Sequence, residues 1–257
     1  MPTVIAAVDG SATAGPVLAY AKAFADASAM AVRAVHVSGA DDDHEVDALA
    51  RHFGVPVSVR HGNVIDALIA AINEPDVAVA VIGSDSRLHH GGIGHVTCSI
   101  MRSGHTPLLI VPAHATTNPR LRRVLVPLDG TDVDARTVAG ITRRLVQDAG
   151  TELTMIHVFD EQRMPPVANH EPHETDAWVH EFRTRYAPTK GTLVFRVGTA
   201  AQEIAALAHE QQPDLAILAW TNHHAPHTGV TQTMIGQYPI LLVPENPPSC
   251  LSAGPTA

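Results

Sequence analysis

The sequence predicts an α/β protein of two tandem domains, each a doubly wound five-stranded parallel sheet with helices on both faces. Three observations carry that prediction. Five apolar, strand-like runs between residues 3 and 112 recur in the same order between residues 123 and 244. Runs such as "VAVAVI" and "ILLV" are apolar at every position, as strands are when both faces of a sheet are buried. Helix-patterned segments separate the runs, so right-handed crossovers join consecutive strands and lay them parallel.

The first run, "TVIAAVDGS" (Thr3 to Ser11), returns as "RVLVPLDGT" (Arg123 to Thr131), each ending in Asp-Gly-Ser/Thr. The helix after it, "PVLAYAKAFADA", puts Val17, Leu18, Ala21 and Ala25 near one face, and its counterpart ends at Gly150, a helix stop. "AVRAVHVSG" (Ala31 to Gly39) returns as "TELTMIHVFD" (Thr151 to Asp160). The acidic "DDDHE" (Asp41 to Glu45) that follows reads as a helix start favoured by the dipole. "VPVSVRHGN", with Gly62, returns as "TLVFRVGTA", with Gly198, and the helices "VIDALIAAIN" and "AAQEIAALAHEQ" follow. "VAVAVIG" (Val77 to Gly83) matches "DLAILAW" (Asp214 to Trp220), and "PLLIVP" (Pro107 to Pro112) matches "PILLVP" (Pro239 to Pro244). Asp9 to His36 is 27 residues and Asp129 to His157 is 28, while Gly62 to Gly83 and Gly198 to Ala219 are both 21. The expected division is a first domain over 1–113, a linker over 114–121, a second domain over 122–246 and a flexible tail over 247–257.

Composition excludes several classes. A net charge of -9, from 17 basic and 26 acidic residues, gives no electrostatic footprint for nucleic acid. No stretch approaches the ~20 apolar residues of a spanning helix, and the start lacks a basic leader, so the expectation is a cytoplasmic protein without a membrane partner. Cys98 and Cys250 show no paired spacing, against a disulfide scaffold or zinc ribbon. Only Lys22 and Lys190 are lysines, and no GxxxxGK[ST] or GxSxG string exists, so a P-loop and a nucleophile elbow are both absent. The pairs His89–His90 and His223–His224, with His227, read as solvated loop histidines rather than metal ligands.

In an open parallel sheet, ligands bind beyond the carboxyl ends of the strands where the strand order reverses. Val8, Asp9, Gly10, His36, Val37, Ile82 and Gly83 belong there. Beyond Gly83 runs "GSDSRLHHGGIGHVT", whose glycines at 91, 92 and 94 admit an anion to the backbone and whose helix would open with free N–H groups at His95, Val96 and Thr97.

These motifs together resemble a tandem universal stress protein over residues 2 to 245: "AAVDGS" and "VPLDGT", "VHV" and "IHV", Gly62 and Gly198, then "VIGS", "GHVT" and "TPLLIVP". The resemblance implies a Rossmann-like sheet of order 3-2-1-4-5 in each half, of the adenine nucleotide α-hydrolase-like kind. It implies a regulatory role in the stress response through ATP, with magnesium as its companion, or through AMP or cyclic AMP. Carried over residue by residue, Asp9 and Val37 are adenosine contacts and Gly83 and Gly94 are the first and third glycines of a phosphate loop. Val8, Gly10, Ile82, Asp85, Ser86, His95, Val96 and Thr97 complete the nucleotide site. The pattern departs at Ser86, which replaces the second glycine, at His95, which replaces a hydroxyl residue, and in a loop two residues short. The second half departs further, with Ala219 and Trp220 at the strand tip, and is read as degenerate. In the family the last strand joins domains, so the two halves are expected to pair internally, with a homodimer beyond that. No lysine serves the loop, so any ATP hydrolysis is expected to be slow. The competing reading is a scaffold without nucleotide that acts through its sheet edges.

Overall fold

Each of the ten apolar runs forms a strand in the computed structural model, which describes residues 1–38, 43–84, 94–103, 105–129, 145, 150–159, 180, 191–220 and 229–244. The strands are β1 (Thr3–Val8), β2 (Ala31–Val37), β3 (Val57–Arg60), β4 (Val77–Ser84), β5 (Leu108–Pro112), β6 (Arg123–Leu128), β7 (Glu152–Phe159), β8 (Thr192–Val197), β9 (Leu215–Trp220) and β10 (Ile240–Pro244). Six described helices lie between them: α1 (Ala14–Ser28), α2 (Asp43–Phe53), α3 (Val64–Ile72), α4 (His95–Ser103), α5 (Ala200–Gln211) and α6 (Gly229–Met234).

All ten strands join one sheet in the order β3-β2-β1-β4-β5-β10-β9-β6-β7-β8. Each half reads 3-2-1-4-5, and every neighbouring pair is parallel except β5 with β10. That one antiparallel pair, with Ile240 opposite Ile110, Leu241 opposite Leu109 and Leu242 opposite Leu108, is the seam between the halves. Because the seam is antiparallel, the strand tips of the two halves leave opposite edges of the sheet. It joins the last strand of each half, as the internal pairing expected from the sequence requires. The outermost strands are β3 and β8.

Alternate side chains of these strands feed two cores, as a period of two requires. On one face Val4, Val79, Leu109, Leu241, Ile217 and Val124 share one buried cluster with Val17, Leu18 and Phe24 of α1. On the other, Ile5, Ala80, Ile110, Ile240, Ala216 and Leu125 pack against Leu68 of α3, Ile100 of α4 and Leu207 of α5. Both layers cross the seam, so the cores of the two halves are continuous.

Local devices repeat with the sequence. Gly62 and Gly198 take φ of 107° and 145°, left-handed backbone that lets the chain turn from β3 into α3 and from β8 into α5. Behind Gly62, the Asn63 carboxamide accepts from the Ile65 and Asp66 N–H groups at 2.9 and 3.2 Å and caps α3. Arg60 and Arg196, each two residues before its glycine, reach Glu74 and Glu210, each twelve residues after it, at 2.6 Å in both cases. Such part-exposed pairs contribute about 0–1 kcal/mol apiece, so they set the angle of helix on strand more than they stabilise it.

Candidate functional site

Three segments converge on Gly83, the penultimate residue of β4. Strand order reverses between β1 and β4, since α1 carries the chain toward β2 and α4 carries it toward β5. Thr13, at the entrance of α1, packs directly on Gly83: a Cβ added there would lie 2.6 Å from the Thr13 Oγ1 and 2.8 Å from its Cβ. From the other side, the Thr97 hydroxyl in the first turn of α4 donates to the Gly83 carbonyl at 3.3 Å. The glycine is therefore needed for space, not for a special φ.

The β1–α1 turn is a chain of short polar contacts. Asp9 accepts from the Ser11 N–H at 3.1 Å and from the Ser11 hydroxyl, which in turn meets the Thr13 hydroxyl at 2.7 Å. Asp9, Gly10 and Ser11 are exposed. Ser11 and Thr13 have no place among the residues expected from the sequence; their signal was the hydroxyls of "DGSAT" at a spacing of two, legible only once the turn is known.

The remaining tip residues divide by exposure. Val8 and Ile82 are buried, and Thr97 is 3% exposed, so these three support the crevice from within. Val37 is half-buried at the end of β2 and packs on the α3–α4 layer. Gly94 is half-buried, His95 exposed and Val96 half-buried. A Cβ on Gly94 would meet nothing within 4 Å among the described residues. The N–H groups of His95, Val96 and Thr97 belong to the first turn and have no intrahelical acceptor. Asp85 and Ser86, with His89 and His90, lie outside the described residues. At the very end of β4 the Ser84 hydroxyl is fully buried without a hydrogen-bond partner among the described residues; such a group ordinarily costs about 1–3 kcal/mol.

Neighbouring histidines are structural. His36 is 1% exposed and its Nδ1 lies 3.0 Å from the Val8 carbonyl, while the His157 Nδ1 lies 2.9 Å from that of Leu128. Each ties the second strand of its half to the tip of the first. Cys98, half-buried in α4, has its thiol pushed up by burial, with Arg102 pulling the other way.

In the second half Ala219 stands where Gly83 does, and Trp220 takes the place of Ser84, packing on the layer beneath α5 and α6. Helix α6 has six residues against nine in α4. Residues 130–144 and 221–228, the turns that would complete a second crevice, lie outside the described residues, as do His223, His224 and His227.

Comparison with known proteins agrees with this architecture. Residues 120–237 match the universal stress protein family model. That stretch, the second half of the chain, is a universal stress protein domain. The fold of the whole chain is shared, end to end, with a universal stress protein from Pseudomonas aeruginosa UCBPP-PA14 at 15% identity and a TM-score of 0.72, over 98% of this chain and 95% of that one. A universal stress protein from Archaeoglobus fulgidus DSM 4304 follows at 17% identity and 0.66, over 94% and 96%. Another universal stress protein, solved in complex with cAMP, is 22% identical over 44% of this chain and 97% of its own, with a TM-score of 0.38; the ligand belongs to that protein. No curated protein matches the chain by sequence. The Pseudomonas protein thus matches both halves of this chain in fold. Among the described residues no helix is long and apolar enough to cross a membrane.

Proposed function

We propose that this protein is a cytoplasmic regulator that binds an adenine nucleotide in its first half, at the crevice between β1 and β4. The observation that carries the reading is the convergence on Gly83: the turn into α1 and the first turn of α4 flank one point where strand order reverses. That is the place where open parallel sheets receive ligands, with helix N-termini turned toward an anion. The residues fit such a group in two respects. No described residue comes within 4 Å of a Cβ placed on Gly94, where backbone N–H groups are free of intrahelical partners, and the Ser84 hydroxyl at the strand tip has no partner among the described residues. Asp9, Gly10 and Val37 would hold the nucleoside, and Gly94, His95, Val96 and Thr97 the phosphate; Asp85 and Ser86 complete the proposed set.

No lysine or arginine is among these residues, and Asp9, the one described carboxylate, is already engaged by Ser11. A single phosphate on helix N–H groups suits that donor set better than a triphosphate with magnesium, so AMP or cyclic AMP is expected to bind at least as well as ATP. The bound nucleotide supplies a regulatory signal, and the chain's own groups only orient and hold it. The competing scaffold reading would have to act through the outer strands β3 and β8, since β5 and β10 are occupied by each other.

The test is to denature purified protein and look for released nucleotide by mass, then to titrate ATP, AMP and cyclic AMP calorimetrically. Gly94→Ala should leave stability within about 0.5 kcal/mol of the parent, as surface changes do, yet weaken nucleotide binding. Absence of bound nucleotide together with no heat from any of the three overturns the proposal; unchanged affinity in Gly94→Ala overturns the site.

A further inference from the structure

Apart from the strand tips, the chain builds a second concave surface. The segment that connects the halves lies along α1, with the Thr117 methyl 3.6 Å from the position a Cβ would take on Gly15. One turn after another, α1 presents Ala19, Ala23 and Ala27 to it, side chains too short to fill the gap. The result is an open groove of about 610 Å³ with Phe53 at the end of α2 as an apolar wall. Ligand pockets commonly run to ~300–1,000 Å³.

Charge distinguishes this groove. Among the described residues, Lys22, Arg120 and Arg122 line it, against the single carboxylate of Asp26. In a chain of net charge -9, with only two lysines, such a concentration of cations is a local reversal of sign. Lys22 meets Asp26 at 3.4 Å, but both side chains are about half exposed or more, at 46% and 66%. Exposed pairs of this kind hold each other by only ~0–1 kcal/mol, so a doubly charged ligand can take Lys22 over. Leu121, between the two arginines, is 5% exposed and points into the core, which leaves its neighbours at the groove. Arginine forks match the oxygens of a phosphate geometrically, and a lysine adds a point charge.

We propose that this groove binds an amphipathic organic phosphate, a phosphate monoester whose apolar body lies on Ala19, Ala23 and Phe53 while Lys22, Arg120 and Arg122 hold its head. It shares no residue with the β1–β4 crevice, so it does not depend on the nucleotide reading.

The test uses 1-naphthyl phosphate as probe, with 1-naphthol and inorganic phosphate as the two halves of its chemistry, and maps backbone amide shifts by NMR on the full chain. Shifts are expected at Ala23, Asn118, Arg120 to Arg122 and Thr151. Arg120→Ser with Arg122→Ser, both exposed positions, should weaken the probe by about tenfold or more, the equivalent of one lost charge-assisted contact. Ala23→Leu, which fills the floor and keeps every cation, should weaken it similarly. Each fragment alone should bind at least about tenfold more weakly than the ester, since either contribution is worth about one decade. The proposal is overturned by absence of binding, by shifts confined to Gly83 and Gly94 to Thr97, by equal binding of 1-naphthol, or by unchanged affinity in either variant.

Discussion

Gly83→Ala tests whether the β4 tip is a packing seat. The new Cβ would stand 2.6 Å from the Thr13 Oγ1, 2.8 Å from its Cβ and 3.4 Å from its Cγ2. Comfortable carbon contacts lie near 3.5–4.0 Å, so Thr13 must retreat by roughly 1 Å. A rotamer change moves the hydroxyl and methyl but not the Cβ, which is fixed to the backbone. The first turn of α1 must therefore move, and it is anchored by Val17 and Leu18, both buried to within 1%. Overpacking of this kind costs about 1–3 kcal/mol, and the fixed backbone places Gly83→Ala in the upper part of that range. Thr13→Gly removes the obstacle and loses the Ser11 contact, an exposed hydrogen bond of about 0.5–1.5 kcal/mol. In the double variant the clash disappears, so its stability should match that of Thr13→Gly alone, with a coupling energy near 2 kcal/mol, as contacting residues show. Urea unfolding followed by circular dichroism measures all four proteins. A Gly83→Ala midpoint equal to the parent's, or strictly additive single effects, refutes the steric reasoning.

Two further outcomes follow from other parts of the molecule. Tyr20 in α1 is 3% exposed, and burial followed by the charge of Asp214 pushes its phenol up to about 12 from 10.0. A raised value in the folded state means full stability below pH 10, lost progressively as pH rises toward 12; the linked energy is roughly 3 kcal/mol, and Tyr20→Phe should flatten that slope and remove one late step from the phenolate absorbance titration. At the seam, Leu109 and Leu241 face each other with no exposure; Leu109→Ala should cost about 2–5 kcal/mol and lower a single unfolding transition, whereas two separable transitions in the parent calorimetric trace would show that the halves do not share their cores.

Much of the fold was legible because burial on both faces leaves a strand no choice but apolar residues, as in Val77 to Ile82 and Ile240 to Val243. The turns at Gly62 and Gly198 were legible for a similar reason, since each demands a φ that other residues rarely adopt. The site was less so. Gly83 reads in sequence as a ligand-facing glycine, yet the structure gives its space to Thr13, a residue seventy positions away. Ser11 and Thr13 were missed because side-chain contacts in an exposed turn follow from its path, which periodicity does not encode. Helix α1 shows the same limit. Ala21 and Ala25 were correctly assigned to its buried face, but Ala19, Ala23 and Ala27 look identical in composition and only the course of the connecting segment shows that they floor a groove.

The antiparallel seam has one more effect. Two identical chains joined by such a dyad must accept every substitution twice, because symmetry writes each change onto both copies. Here a covalent connection supplies the partner at an effective concentration that dilution cannot lower, and the copies need not be the same. A glycine can persist at position 83 while alanine and tryptophan occupy 219 and 220, and β5 and β10 still close on each other. The pair is a dimer whose two members are free to hold different occupations.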